Sequence, residues 1–176
     1  MIGYRYDDGG RRAAGYRRET GDCVVRAIAI CAGEDYKAVY LTMAEHMRRN
    51  GYAASGNAYA TSERRRKAPR RRGQLRAKDV QDLVLEVHEF RKVRLPSGAR
   101  PTFTEAHERY GDCIVGTTKH MAAIGGGALR DIWDGRTYAW LEPGTGGETR
   151  ERKAQSVWVR DRPAPETSTQ TAGGTQ

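Results

Sequence analysis

The chain has 176 residues, 38% of them apolar, which is enough for one compact domain with a modest core. Its net charge of +9 brings an anionic partner into consideration. Cys23, Cys31 and Cys113 are too few and too irregularly spaced for a disulfide scaffold or a zinc site, so a reducing cytosol is expected, with no metal and no cofactor.

Residues 1–21 are polar and rich in Gly and Arg. They read as an extended lead-in ending in a cap, where Thr20 or Asp22 would accept a hydrogen bond from a first-turn amide. Over 23–32, Val24, Ile28 and Cys31 recur at helical spacing with Arg26 turned outward, and Gly33 supplies the stop. A second helix is predicted over 35–50, with Val39, Met43 and Met47 on one side and Asn50-Gly51 at its end. Residues 51–76 begin with small and polar types and turn into a run of arginines broken by Pro69, which predicts a mobile, solvated loop. A third helix is expected over 77–87, with Val80, Leu83, Val84 and Val87 on one face.

Past Arg100 the pattern turns to strands. One is expected over 113–117, and 120–124 and 128–133 flank Gly125-Gly126-Gly127 as a hairpin. Further strands are predicted over 137–141 and 155–160, before a Pro/Thr/Gly/Gln-rich tail at 163–176 that has nothing to bury and reads as disordered. Helices followed by strands indicate an α+β domain over 1–162, its N-terminal helices packed on a small antiparallel sheet. No apolar run approaches the roughly 20 residues of a membrane span. The first residues carry no apolar h-region, so a soluble, cytoplasmic protein is expected.

The pattern most specific for chemistry joins Gly21-Asp22-Cys23-Val24-Val25-Arg26 to the distant Lys119-His120-Met121. A thiol opening a helix gains from the helix amides and from a nearby imidazolium, both of which favour the reactive thiolate. Asp22 works against this unless it points away. A buried, inert thiol is the bland alternative for Cys23, and Cys31 and Cys113 both read as core residues. The acid that would orient His120 depends on the hairpin. A two-residue loop at 125–126 sets Asp131 directly opposite His120, whereas a three-residue loop at 125–127 brings Asp134 into the diagonal position. The commoner short loop favours Asp131. Donors for an oxyanion would be the Cys23 amide and a side chain such as Thr20, since residues 1–22 contain no Gln or Asn.

A second feature is the basic cluster Arg64, Arg65, Arg66, Lys67, Arg70, Arg71, Arg72 and Arg76. On a mobile loop it would bind phosphate backbones by counterion release without sequence preference, or contact an acidic protein partner. No aromatic residue interleaves it, so base stacking has no platform there. A charge run that simply keeps a loop solvated is the competing reading. Gly125-Gly126-Gly127 lacks the Lys-Ser/Thr ending of a phosphate loop.

Three segments carry a resemblance: Asp22 to Ala29, Asp35-Tyr36-Lys37-Ala38-Val39-Tyr40, and Ile114 to Ile124 with the following Asp131-Ile132-Trp133-Asp134. Together they resemble a group of small bacteriophage proteins similar to papain-like cysteine peptidases, over residues 19–50 and 111–135. The resemblance implies that Cys23 is the nucleophile, His120 the general base and Asp131 the orienting acid, with Asp134 as its competitor. The arginine loop and the lack of an upstream glutamine depart from the papain pattern. The expected function is a thiol hydrolase acting on peptides or amides through an acyl-enzyme. The alternative is an inactive peptidase-like phage protein that binds nucleic acid or a host partner through the basic loop.

Overall fold

A computed structural model describes residues 1–17, 21–52, 77–118, 120–140 and 148–161. Thr20, the arginines of 64–76 and the 163–176 tail lie outside the described residues.

Helix α1, Cys23–Ala32, is apolar almost all round, and a helix without a polar face is driven inside. Nine of its ten residues are buried, and Arg26 is among them, so the outward orientation expected for that side chain is corrected. Gly33 ends the helix at φ 66° and donates its N–H to the carbonyl of Ala29. Helix α2, Tyr36–Arg49, starts at Asp35, whose carboxylate accepts from the Ala38 amide, and it buries Tyr36, Val39, Met43 and Met47. Helix α3, Ala77–Val87, matches its predicted span and adds Val80, Val84 and Leu85 to the same core. Side chains with no remaining exposure, such as Val25, Ile28, Val39 and Met43, each contribute about 1.5–3 kcal/mol through burial.

Helix α4, Phe103–Tyr110, stands where only strands were expected. Thr102 and Glu105 form a reciprocal capping box, with Thr102 Oγ1 accepting from the Glu105 amide and Glu105 Oε2 accepting from the Thr102 amide.

Eight strands are described: β1 (Gly3–Tyr6), β2 (Phe90–Lys92), β3 (Cys113–Gly116), β4 (Met121–Gly125), β5 (Ala128–Asp131), β6 (Thr137–Trp140), β7 (Glu148–Glu151) and β8 (Ser156–Arg160). Six make one sheet in the order β1-β5-β4-β3-β8-β2, while β6 and β7 pair as a separate ribbon. The large sheet is antiparallel except at one edge, where β1 runs parallel to β5 and sets Tyr6 beside Asp131. The expected extended lead-in is therefore in part a strand. One sheet face packs on α1, α2 and α3 through Ile114, Met121 and Trp158. The other packs on α4 through Cys113, Val115, Ala122 and Ile124. Burial on both faces explains why β3 and β4 read as unbroken apolar runs rather than alternating ones. Among the described residues, no helix is long and apolar enough to cross a membrane.

The β4–β5 turn corrects both registers read from the sequence. Its two loop residues are Gly126 and Gly127, at φ 59° and 75°, so that Gly125 faces Ala128 and Ile124 faces Leu129. Positive φ at both central positions is what a type I′ turn requires. Asp112 anchors the turn by accepting from the Gly126 amide at 3.0 Å. This register also sets Ile124 and Leu129 directly opposite each other in the core, whereas a three-residue loop would have turned Leu129 to the other face. Continued by one residue, it pairs Asp131 with Ala122, which makes Asp131 the diagonal neighbour of His120.

Candidate active site

The helix and strand lengths explain how Cys23 meets His120. Cys31, near the end of α1, donates from its Sγ to the Cys113 carbonyl at 3.4 Å, fixing that end of the helix over the start of β3 and the end of β4. Eight residues back along α1 is about 12 Å, and four residues back along β4 is about 14 Å. Both paths arrive at the same end of the sheet. There the His120 carbonyl is held by the Thr117 amide at 2.8 Å, across the connection between β3 and β4.

The side chains converge. His120 Nε2 is hydrogen-bonded to Asp131 Oδ2, and the Cys23 thiol lies close enough to the ring to influence its titration. With Nε2 committed to Asp131, Nδ1 is the ring nitrogen left for the thiol. Cys23 and Asp131 are buried, while His120 keeps 22% of its side chain exposed. Burial alone would pull the His120 pKa down. The hydrogen bond to Asp131, the nearby Cys23 sulfur and the charge of the Asp131 carboxylate outweigh it and push the imidazole up to about 9.

Behind this line lies a buried charge network. Asp131 Oδ1 accepts from the Ile132 amide at 2.8 Å and sits 3.6 Å from a terminal nitrogen of Arg26. Arg26 also bonds Asp22 Oδ1, and Asp22 Oδ2 accepts from Arg11 Nε at 2.8 Å and from the Tyr36 hydroxyl. Asp22 thus occupies the N-cap position of α1 without capping it, which corrects its expected role: its carboxylate is taken by two guanidinium groups and a phenol. Burial, reinforced by the bond to Asp22, drives the Tyr36 hydroxyl pKa upward.

Asp134, the alternative acid, does not partner His120. It binds Arg136 through Nε at 2.9 Å and a terminal nitrogen at 2.8 Å, and that pairing holds its carboxyl below the usual range. The residue standing opposite His120 is Trp133, with ring centroids 5.1 Å apart at 52°. The indole is seated against Gly135, where a Cβ would come within 3.2 Å of the ring. The Arg152 guanidinium lies 5.7 Å from its centroid. The other two thiols are set apart by their surroundings: burial pushes Cys113 up to about 12 and raises Cys31 as well.

A family-model scan, a search of curated proteins and a search of solved structures each found no match to this chain.

The geometry thus brings together Cys23, His120 and Asp131 and leaves Asp134 aside. Thr20 and the basic cluster from Arg64 to Arg76 fall outside the described residues, whereas the Cys23 amide, also a candidate oxyanion donor, lies within them. The first intrahelical bond of α1 is donated by Arg26 to Asp22, which leaves the Cys23 amide without an intrahelical acceptor. Sequence reasoning missed Arg26 and Trp133. Arg26 was legible in principle: a single arginine within Val24-Val25-Arg26-Ala27-Ile28-Ala29-Ile30 has no polar face to turn toward.

Proposed function

We propose that the protein is a papain-like thiol hydrolase, a peptidase or amidase, of the type found in small bacteriophage proteins. The observation that carries this reading is the bond between the His120 imidazole and the Asp131 carboxylate, set beside the Cys23 thiol at the head of α1. A thiol that opens a buried helix packed on a mostly antiparallel sheet supports the papain-like architecture. In the proposed reaction the Cys23 proton passes to His120, and the thiolate attacks the substrate carbonyl. The oxyanion that forms is met by the Cys23 amide at the helix terminus. His120 then returns its proton to the leaving amine, and water, activated by the same imidazole, hydrolyses the thioester. Asp131 holds the ring orientation and balances the imidazolium charge.

An activated ester tests this without knowledge of the natural substrate. Incubation with p-nitrophenyl acetate should give a burst of nitrophenol and an added acetyl group on the Cys23 peptide in the mass spectrum. Cys23→Ala should show neither. Acetylation spread over lysines with no burst would count against the hydrolase.

A further inference from the structure

We infer that the cleft beside the catalytic acid, walled by Arg11, Arg12, Arg17 and Arg26, binds an acidic stretch of the substrate, so that the enzyme takes peptides carrying carboxylates next to the reacting amide. This inference rests on the hydrolase reading and names the substrate class for it. The cleft has a volume of about 610 Å³ and is also lined by Tyr6, Asp8, Tyr16 and Ile132. Its place in the fold ties it to the chemistry. Arg26 lies one helical turn from Cys23 and 3.6 Å from Asp131, Ile132 follows Asp131 in the chain, and Tyr6 pairs with Asp131 in the β1–β5 ladder.

The charge in the cleft is unequal. Asp22 takes up Arg11 and Arg26 beneath the floor. Asp8 spends both carboxylate oxygens on backbone amides, those of Gly10 and Arg12, each at 3.0 Å. Arg12 and Arg17 are exposed at the rim and have no carboxylate partner among the described residues. The loop presenting them is built rather than loose. Arg11 donates to the Tyr16 carbonyl at 3.1 Å, and the Tyr16 ring packs on Tyr36 and Tyr40 at centroid distances of 5.2 and 4.7 Å. Two exposed guanidinium groups with no carboxylate partner among the described residues suit carboxylates, which they can bind through paired N–H donors. Tyr6, 60% exposed, lines the cleft, and Trp133, 42% exposed, packs on His120, so the cleft and the imidazole lie on either side of Asp131 and Ile132.

The test measures binding on the full chain carrying Cys23→Ala, which separates it from turnover. A fluorescein-labelled (Glu-Gly)₄ peptide is compared with its (Gln-Gly)₄ counterpart by anisotropy. The acidic peptide should bind at least about tenfold tighter. Adding Arg12→Gln with Arg17→Gln should remove that advantage, whereas Arg91→Gln with Arg94→Gln, which deletes the same charge at the opposite edge of the sheet, on and just after β2, should leave most of it. Equal loss from the two double variants would mean bulk attraction to a basic protein and would overturn the inference, as would displacement of the peptide by oligo(dT) at lower concentration than by unlabelled peptide. Lost discrimination alongside an intact nitrophenol burst would sink this inference alone; a missing burst with intact discrimination would sink the hydrolase reading and leave the cleft as a binding site for acidic peptides, not for a substrate.

Discussion

Replacing Arg26 with methionine should destabilise the protein by about 3–5 kcal/mol, the cost of stranding a buried charge. Asp22 and Asp131 are both buried, and Arg26 is the cation they share. Asp22 would keep Arg11 and Tyr36, but Asp131 would be left with His120 as its main compensating charge. At 2–4 °C per kcal/mol for a chain of this size, the midpoint of thermal unfolding should fall by roughly 10 °C. Differential scanning calorimetry of the two proteins checks this. Methionine fills similar space, so a midpoint within a degree or two of wild type would show that the network contributes little. Arg26→Lys should recover only part of the loss, because an ammonium cannot reach both carboxylates as a planar guanidinium does.

The second large effect concerns His120. His120→Ala should slow acylation about 10²- to 10⁴-fold, the usual share of a general base. Its pH behaviour is more diagnostic. The imidazole is raised from an ordinary value near 6.5 to about 9 in the folded protein. Its protonated form is therefore stabilised by folding. That contribution is complete below pH of about 6.5 and disappears as pH rises through about 9. Urea denaturation at pH 6 and pH 10 should show the folded state weaker at the higher pH, by up to about 3 kcal/mol from this group. In the proposed reaction the same proton serves the leaving amine, so hydrolysis of an amide should decline along the same alkaline limb. Asp131→Asn removes the charge and should draw that limb down toward pH 7. An alkaline limb unmoved by Asp131→Asn would break the link between the carboxylate and the ring.

Much of the fold could be read from the chain because local signals agreed with the tertiary outcome. The apolar periodicity of α2 and α3, with the Asn50-Gly51 stop of α2, set their bounds to within a residue, and the glycine run located the β4–β5 hairpin. What could not be read depended on partners distant in sequence. β1 has no apolar alternation of its own and exists because β5 offers it an edge. The hairpin register slipped by one glycine because three glycines in a row satisfy several turns, and the Ile124–Leu129 contact selects among them. Helix α4 was overlooked although Thr102-Phe103-Thr104-Glu105 spells a capping box. At the site, Cys23, His120 and Asp131 were identified from position and spacing. Asp131 meets the ring diagonally rather than across the ladder, which is why the carboxylate that bonds His120 could be named from a register that does not form. Trp133 was invisible because its place is defined by what folds against it, whereas the burial of Arg26 could have been read from the apolar run around it.

The reactivity of the three thiols toward iodoacetamide, followed by peptide mass spectrometry at pH 7, tests most directly whether Cys23 and His120 act as one unit. Cys23 should be carbamidomethylated at least about a hundredfold faster than Cys31 and Cys113, whose thiols are held protonated by burial, and His120→Ala should remove most of that advantage. Equal, slow labelling of all three thiols, or fast labelling of Cys23 that persists without His120, would contradict the pairing of thiol and imidazole.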